Sequence, residues 1–316
     1  MKLHRLFTAA GLIAAVPLVA AFASLAAYGQ DAAGVPAKTI LTALPKDPEQ
    51  TPTIMPEDVK IKVNGKSVQA ENITPLRGDR AGLELVILID SGARNSLGRQ
   101  LSEIADFIKS LPPSTEIGIA YMMNGRAMFQ QPFTTDKTLA LRALHLPGGT
   151  AGSSASPYFC ISDLAKNWPS NNTGNRREVI AITDGIDPYE VRYDPADPYV
   201  DAATKDSIRA GVVVDALYWH DMGFASRVGF LASGGQNLLT LITSNTGGML
   251  YYQGLSNPVS FAPFFRDLSK RLDNQYELSF MAPAGKKPQV ASLNVKLKAP
   301  GVKLSAPNLV FVRGNQ

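Results

Sequence analysis

Residues Leu83–Asp90 read LELVILID, an apolar run that closes on a carboxylate and gives way at once to the small, polar SGARNS. Such a run predicts a central strand buried on both faces. Asp90 then stands at the carboxyl edge of a parallel sheet, where open α/β sheets place their ligands. Downstream, Leu97, Leu101, Ile104, Ala105, Ile108 and Leu111 recur at spacings of three and four, which predicts a helix with one apolar face ended by Pro112-Pro113. Residues 116–123 form the next strand, and Asn124-Gly125 turns the chain into a short antiparallel edge strand near residues 127–130. A short helix over 135–145 is broken by Pro147-Gly148-Gly149, a small polar stretch covers 150–156, and 157–168 is helical.

Residues 176–182 lead into Thr183-Asp184-Gly185, a second buried strand ending on an acid, followed by a long Asp, Tyr and Pro loop to about Tyr199. A helix over 200–210, a strand over 212–218, a helix over 236–244 closed by Gly247-Gly248 and a short strand over 249–253 complete the alternation. Phe261, Phe264, Phe265, Leu268 and Leu272 mark the face of a last helix. Alternation of strand and helix predicts a doubly wound, mostly parallel α/β sheet covered on both sides.

The flanks read differently. VKIKVNGKSV, residues 59–68, alternates apolar and polar positions around Asn64-Gly65, a hairpin signal. The tail turns to β over 276–281, 291–298 and 308–312. Hairpin and tail are expected to meet as a small flanking β subdomain built from both ends of the chain. The expected layout is an export signal over 1–29, a flexible leader over 30–57 rich in Ala, Pro and Thr, the hairpin and linker over 58–82, the α/β domain over 83–274 and C-terminal strands over 275–316.

The signal reading rests on Lys2 and Arg5 ahead of an apolar stretch from Leu6 to Leu25, with small-x-small sites at Ala21-Phe22-Ala23 and Ala27-Tyr28-Gly29. An uncleaved membrane anchor is the alternative. The expected location is therefore secreted, periplasmic or otherwise at the cell envelope. The formal net charge of +4 falls by two once Lys2 and Arg5 are removed, which gives nucleic acid binding no support. Cys160 is the single cysteine, so no intramolecular disulfide can form.

Catalytic patterns are missing. No GxGxxG follows Asp90, no H-E-x-x-H is present, and Ser153, Ser154 and Ser156 lie in no nucleophile elbow. His220-Asp221 reads as a polar strand end.

Three features taken together, Asp90 after a buried strand, Gly148-Gly149-Thr150 before a helix, and Ile182-Thr183-Asp184-Gly185 at the end of a later strand, resemble the von Willebrand factor A (VWA) domain across about residues 83–272. The flanking β segments and export signal are similar to secreted bacterial members of that family. The resemblance implies a Rossmann-like sheet whose top holds Mg²⁺ with an Asp-x-Ser-x-Ser turn, a Thr and a second Asp, leaving one coordination position for a partner's carboxylate. Asp90, Thr150 and Asp184 match the first Asp, the Thr and the second Asp; Gly92 and Arg94 stand where the serines would be. A glycine has no side-chain oxygen and a guanidinium only donates. The metal site is thus degenerate: no cofactor is expected, with Mg²⁺ at Asp90, Thr150 and Asp184 the alternative, and Arg94 is expected to pair with Asp90 or Asp184 in place of the ion.

Two functions follow. The first is a non-catalytic adhesion or scaffold module that binds a protein through an acidic or polar surface, with Arg94, Asp187, Tyr189 and Tyr193 as contact candidates. The alternative is a metal-dependent hydrolase or phosphoryl-transfer enzyme using Asp90 and Asp184.

Overall fold

A computed structural model describes residues 34–47, 52–93, 95–150, 152–190, 192–220 and 228–315. Its first element is a strand, β1, Val35–Pro45. This corrects the flexible leader expected over 30–57. The local signal is weak because Ala37 and Ala43 are small and Pro36 and Pro45 cannot donate. The strand is held by tertiary pairing on two sides, with residues 275–282 and 302–305, which overrides local preference.

β2, Val59–Val63, and β3, Lys66–Val68, form the hairpin, with Asn64 at φ 47° and Gly65 at φ 78°, the paired positive values a two-residue turn needs. β4, Ala70–Pro75, lies where a linker was expected. Then come β5, Leu83–Asp90, α1, Gly98–Ser110, β6, Glu116–Met123, β7, Arg126–Thr134, α2, Lys137–Ala143, and α3, Pro157–Lys166. The second half of this domain adds β8, Arg176–Thr183, α4, Pro198–Ala210, β9, Val212–Tyr218, α5, Gly229–Thr246, β10, Leu250–Tyr251, and α6, Ala262–Leu272. The tail is β11, Gln275–Ala282, β12, Gln289–Leu297, β13, Val302–Ser305, and β14, Leu309–Val312.

The central sheet runs β10-β9-β8-β5-β6-β7, parallel except for the edge strand β7. Every residue of β5 is buried, as its unbroken apolar run demands. Leu85, Ile87 and Ile89 pack under α1 and α6, where Phe107 and Phe265 stack with ring centroids 4.4 Å apart. Val86 and Leu88 point the other way, into a core closed by α3, α4 and α5.

The flanking β region is larger than a small subdomain. Two four-stranded sheets, β13-β1-β11-β4 and β14-β12-β2-β3, share a core of their own that includes Leu41, Ile61, Phe280, Leu293 and Val312. The α/β domain is inserted into this sandwich. Its two connections leave side by side, because Pro75 at the end of β4 pairs with Tyr276 at the start of β11.

Candidate functional site at the carboxyl edge of the sheet

β5 and β8 are adjacent and parallel, with Ile89 opposite Ile182, so their last residues reach the same rim. Asp90 is 4% exposed. One of its carboxylate oxygens accepts the Gly92 amide at 2.8 Å, and the other accepts the Thr183 hydroxyl at 2.9 Å. Burial raises its pKa above the usual carboxylate range, while the Gly92 amide and the Thr183 and Ser154 hydroxyls pull it back. Asp184, also buried, accepts the Ile186 amide at 3.0 Å. Both acids therefore turn their own loops by bonding the amide two residues on, the asx-turn habit of aspartate.

α5 explains how the second loop is held. Gly185 sits at φ 69°, and a Cβ there would lie 2.4 Å from Leu239 Cγ. A Cβ on Gly235 would lie 2.3 Å from the Asp184 carbonyl oxygen. α5 begins at Gly229, ahead of the start expected at 236, and Gly235 within it is what lets the helix touch this loop. From the other side, buried Tyr158 of α3 donates its hydroxyl to the Gly185 carbonyl at 2.8 Å. Burial, reinforced by Asp187, Asp184 and Asp197, keeps that phenol neutral.

The glycine loop before α3 also reaches this rim: a Cβ on Gly149 would meet the Ser91 carbonyl oxygen at 2.7 Å. Thr150 next to it is exposed, and its amide and hydroxyl both engage Ser153 Oγ, at 2.9 and 3.3 Å. The cap of α3 is Ser156, whose hydroxyl accepts the Tyr158 amide. Arg94 lies outside the described residues, as does Asp221. Cys160 is fully buried and burial pushes its thiol far up, so it is inert. His220 offers Nδ1 to the Tyr218 hydroxyl at 3.2 Å.

The tyrosine loop is the exposed part of the rim. Tyr189 is 61% exposed and Tyr193 47% exposed. Tyr189 packs with Phe159 at 5.3 Å and Tyr199 at 6.2 Å between ring centroids, and Phe159 and Tyr199 meet edge to face at 4.8 Å. Asp187, expected as a contact residue, instead points inward: it is 1% exposed, accepts the Ser156 hydroxyl at 2.9 Å and holds the Tyr189 amide at 2.8 Å. The Tyr189 amide and the Ser156 hydroxyl offset part of the cost of taking this carboxylate out of water, a cost that still holds its pKa above the usual range. Asp194 accepts the Ala196 amide and Asp197 caps α4 through the Tyr199 and Val200 amides, so the loop is tied down where it approaches α4.

Among the described residues no group of three or more His, Cys, Asp or Glu is placed to hold a metal ion. The donors missed by sequence are Thr183, Ser154 and Tyr158. Thr183 was within reach, because adjacent parallel strands ending at one rim put Asp90 and Thr183 side by side.

The α/β domain has a VWA-like fold: a Rossmann-like sheet whose first strand, β5, is central, whose third, β7, is the antiparallel edge, and whose rim carries Asp90 and Asp184. No family model and no curated protein sequence matches the chain. Among solved structures, it is similar to an aerotolerance-related membrane protein from Bacteroides fragilis NCTC 9343, at 17% identity and TM-score 0.41 over 61% of this chain and 99% of that one. BatB from Bacteroides thetaiotaomicron gives 19% identity and TM-score 0.43 over 60% and 97%. The ArnB paralogue VWA2 from Sulfolobus acidocaldarius gives 13% and 0.33 over 88% and 76%.

Proposed function

We propose that this protein is a non-catalytic, envelope-associated module that binds another protein through the rim of its VWA-like sheet without a divalent ion. The observation that carries the reading is the tyrosine loop. Tyr189 presents most of its ring to solvent, yet Phe159, Tyr199 and the Asp187 carboxylate fix it in place. An aromatic surface ordered before the partner arrives loses little entropy on binding. Tyr193 extends that surface to α5, where its Cβ lies 3.4 Å from the position a side chain would take at Gly234.

The donor set argues against the ion. Gly92 supplies no oxygen where the family's first serine would, Arg94 supplies only donors at the second, and both oxygens of Asp90 already accept protein hydrogen bonds. Magnesium prefers six oxygens in near-ideal octahedral geometry. The apolar segment of residues 6–25, read as an export signal, supports the envelope location. Among the described residues no helix is long and apolar enough to cross a membrane.

Affinity capture from an envelope extract of the native organism tests the proposal. Wild type is expected to retain the same partner with and without EDTA, and the Tyr189→Ala, Tyr193→Ala double variant to lose it. Retention by the double variant, or loss with EDTA, would contradict it.

A further inference from the structure

The hairpin of β6 and β7 carries two exposed methionines, Met123 at 40% and Met128 at 46%. Met128 pairs with Tyr121 and Met123 with Arg126, so both thioethers leave one face of the hairpin, on a diagonal. Tyr121 belongs to the core beneath α1, α2 and α6, whereas Ala127 and Phe129, which flank Met128, pack on the other side of the sheet. Diagonal neighbours across such a pair lie about 7–8 Å apart, a gap that long side chains bridge.

An imidazole stands beside them. His145 is exposed, and its ring stacks on Tyr121 with centroids 4.6 Å apart and planes 11° from parallel. Its backbone is fastened to the same residue, because the Tyr121 hydroxyl donates to the His145 carbonyl at 2.7 Å and accepts the His145 amide at 2.9 Å. Leu144 leads into this stretch in extended backbone, where neighbouring side chains point opposite ways. Leu146 turns toward α1, lying 3.7 Å from the position of a Cβ at Gly98. The His145 ring therefore faces away from α1, to the β7 side of Tyr121, where Met128 stands.

His145 Nδ1 lies 2.8 Å from the Leu146 carbonyl oxygen. That oxygen can only accept, so Nδ1 carries the proton and Nε2 keeps its lone pair. A ring that gives one N–H to a backbone carbonyl is oriented as metal-binding histidines are. Exposed methionines alone are ordinary surface; beside an imidazole held in this way they complete a ligand set. All three donors are neutral, and exposed Arg126 stands opposite Met123, so nothing here balances a divalent charge. Thioethers are soft ligands that select Cu(I), and imidazole accepts the same metal.

We propose that the sulfurs of Met123 and Met128 and Nε2 of His145 form a three-coordinate site for a soft monovalent cation, Cu(I) or its analogue Ag(I). Cys160 takes no part, since its buried thiol lies in the core on the other side of the sheet. This site goes beyond the partner-binding rim and does not depend on it.

Anaerobic titration of the purified, chelator-treated full chain with Cu(I) against bathocuproine disulfonate tests this, with Ag(I) counted by native mass spectrometry. One ion per chain is expected, and X-ray absorption of the Cu(I) form should show both sulfur and imidazole nitrogen neighbours. His145→Phe keeps a ring to stack on Tyr121, and the Met123→Leu, Met128→Leu double variant keeps side-chain volume. Each should weaken Cu(I) binding at least tenfold while circular dichroism and melting curves match wild type, and the double variant should lose the sulfur neighbours. Tyr189→Ala should bind Cu(I) as wild type does. No ion held against the competitor, less than tenfold weakening in either variant, or Cu(I) without sulfur neighbours in wild type would each overturn the proposal.

Discussion

Thr183 donates its hydroxyl to Asp90 at 2.9 Å across the carboxyl ends of two neighbouring parallel strands, and both residues are buried. The bond joins the two loops at the rim from beneath. Removing it leaves one oxygen of a buried carboxylate without its donor. Thr183→Val, which keeps the shape, is expected to destabilise the fold by about 1–3 kcal/mol. It should also raise the Asp90 pKa further, because one of the groups holding it down is lost. Urea unfolding of the variant at neutral pH checks the first effect. Infrared titration of the carboxyl band, with Asp90→Asn as the assignment control, checks the second.

Two adjacent glycines of α5 should respond oppositely to alanine. At Gly235 a Cβ would sit 2.3 Å from the Asp184 carbonyl oxygen, a backbone atom with little freedom to yield. Overpacking of this kind costs about 1–3 kcal/mol. At Gly234 the nearest atom is Tyr193 Cβ at 3.4 Å, an ordinary contact. Alanine there gains helix propensity of up to about 1 kcal/mol. Thermal melts of Gly234→Ala and Gly235→Ala should move in opposite directions, and a loss at both would mean that α5 is set more tightly than its spacing implies.

A buried pair of acids predicts the pH dependence. Glu178 of β8 and Asp215 of β9 lie on one face of the sheet, since Glu178 is opposite Val213 and Ile180 opposite Asp215. Burial raises both, Asp215 to about 6 and Glu178 well above its usual range. Their mutual contact favours one proton held by Glu178. Gln275 donates to Glu178, Arg176 faces the same acid, and Arg271, itself bonded to Asp267, faces Asp215. Folded pKa values above the unfolded ones mean that these groups stabilise most when protonated. For Asp215 that contribution is complete below 3.8 and is lost as pH rises through about 6, with Glu178 continuing the loss above it. Asp90 and Asp187 are raised and act in the same direction, whereas Asp206 and Asp267 are lowered and lose their contribution in stronger acid. The melting temperature should therefore fall as pH rises from 3.8 to about 6 at constant ionic strength, and Asp215→Asn should flatten that decline. A melting temperature that rises across the same range would contradict the assignment.

The sequence carried the central sheet well, because a strand buried on both faces reads as an unbroken apolar run and few alternatives compete for LELVILID or EIGIAYMM. It carried β1 and β4 poorly. Small, polar and proline residues interrupt their apolar positions, and what makes them strands is pairing with β11, some two hundred positions away in the chain. The same limit governs the rim. Asp90 and Asp184 were legible as acids at strand ends, but Asp187 looked like another loop acid until Ser156 was seen to receive it. Nothing local in the loop announces a donor thirty-one positions earlier. Thr150 resembled a ligand by position, yet its polar atoms turn to Ser153 within its own bend.

The Tyr189 ring should stay ordered without a partner. If Phe159 and Tyr199 hold it, Phe159→Ala should sharpen the Tyr189 ring resonances and speed the ring's flips, while costing about 3 kcal/mol or less, since Phe159 is only partly buried. Unchanged ring dynamics in that variant would remove the preordering on which partner binding is argued.

The most direct test of an ion-independent rim is the melting temperature of the purified, chelator-treated protein titrated with Mg²⁺ and then Mn²⁺. With Asp90 and Asp184 both engaged by backbone amides, the account predicts no saturable change up to millimolar metal. A rise that saturates at micromolar metal and disappears in Asp184→Ala would show that an ion completes the site, and would contradict it.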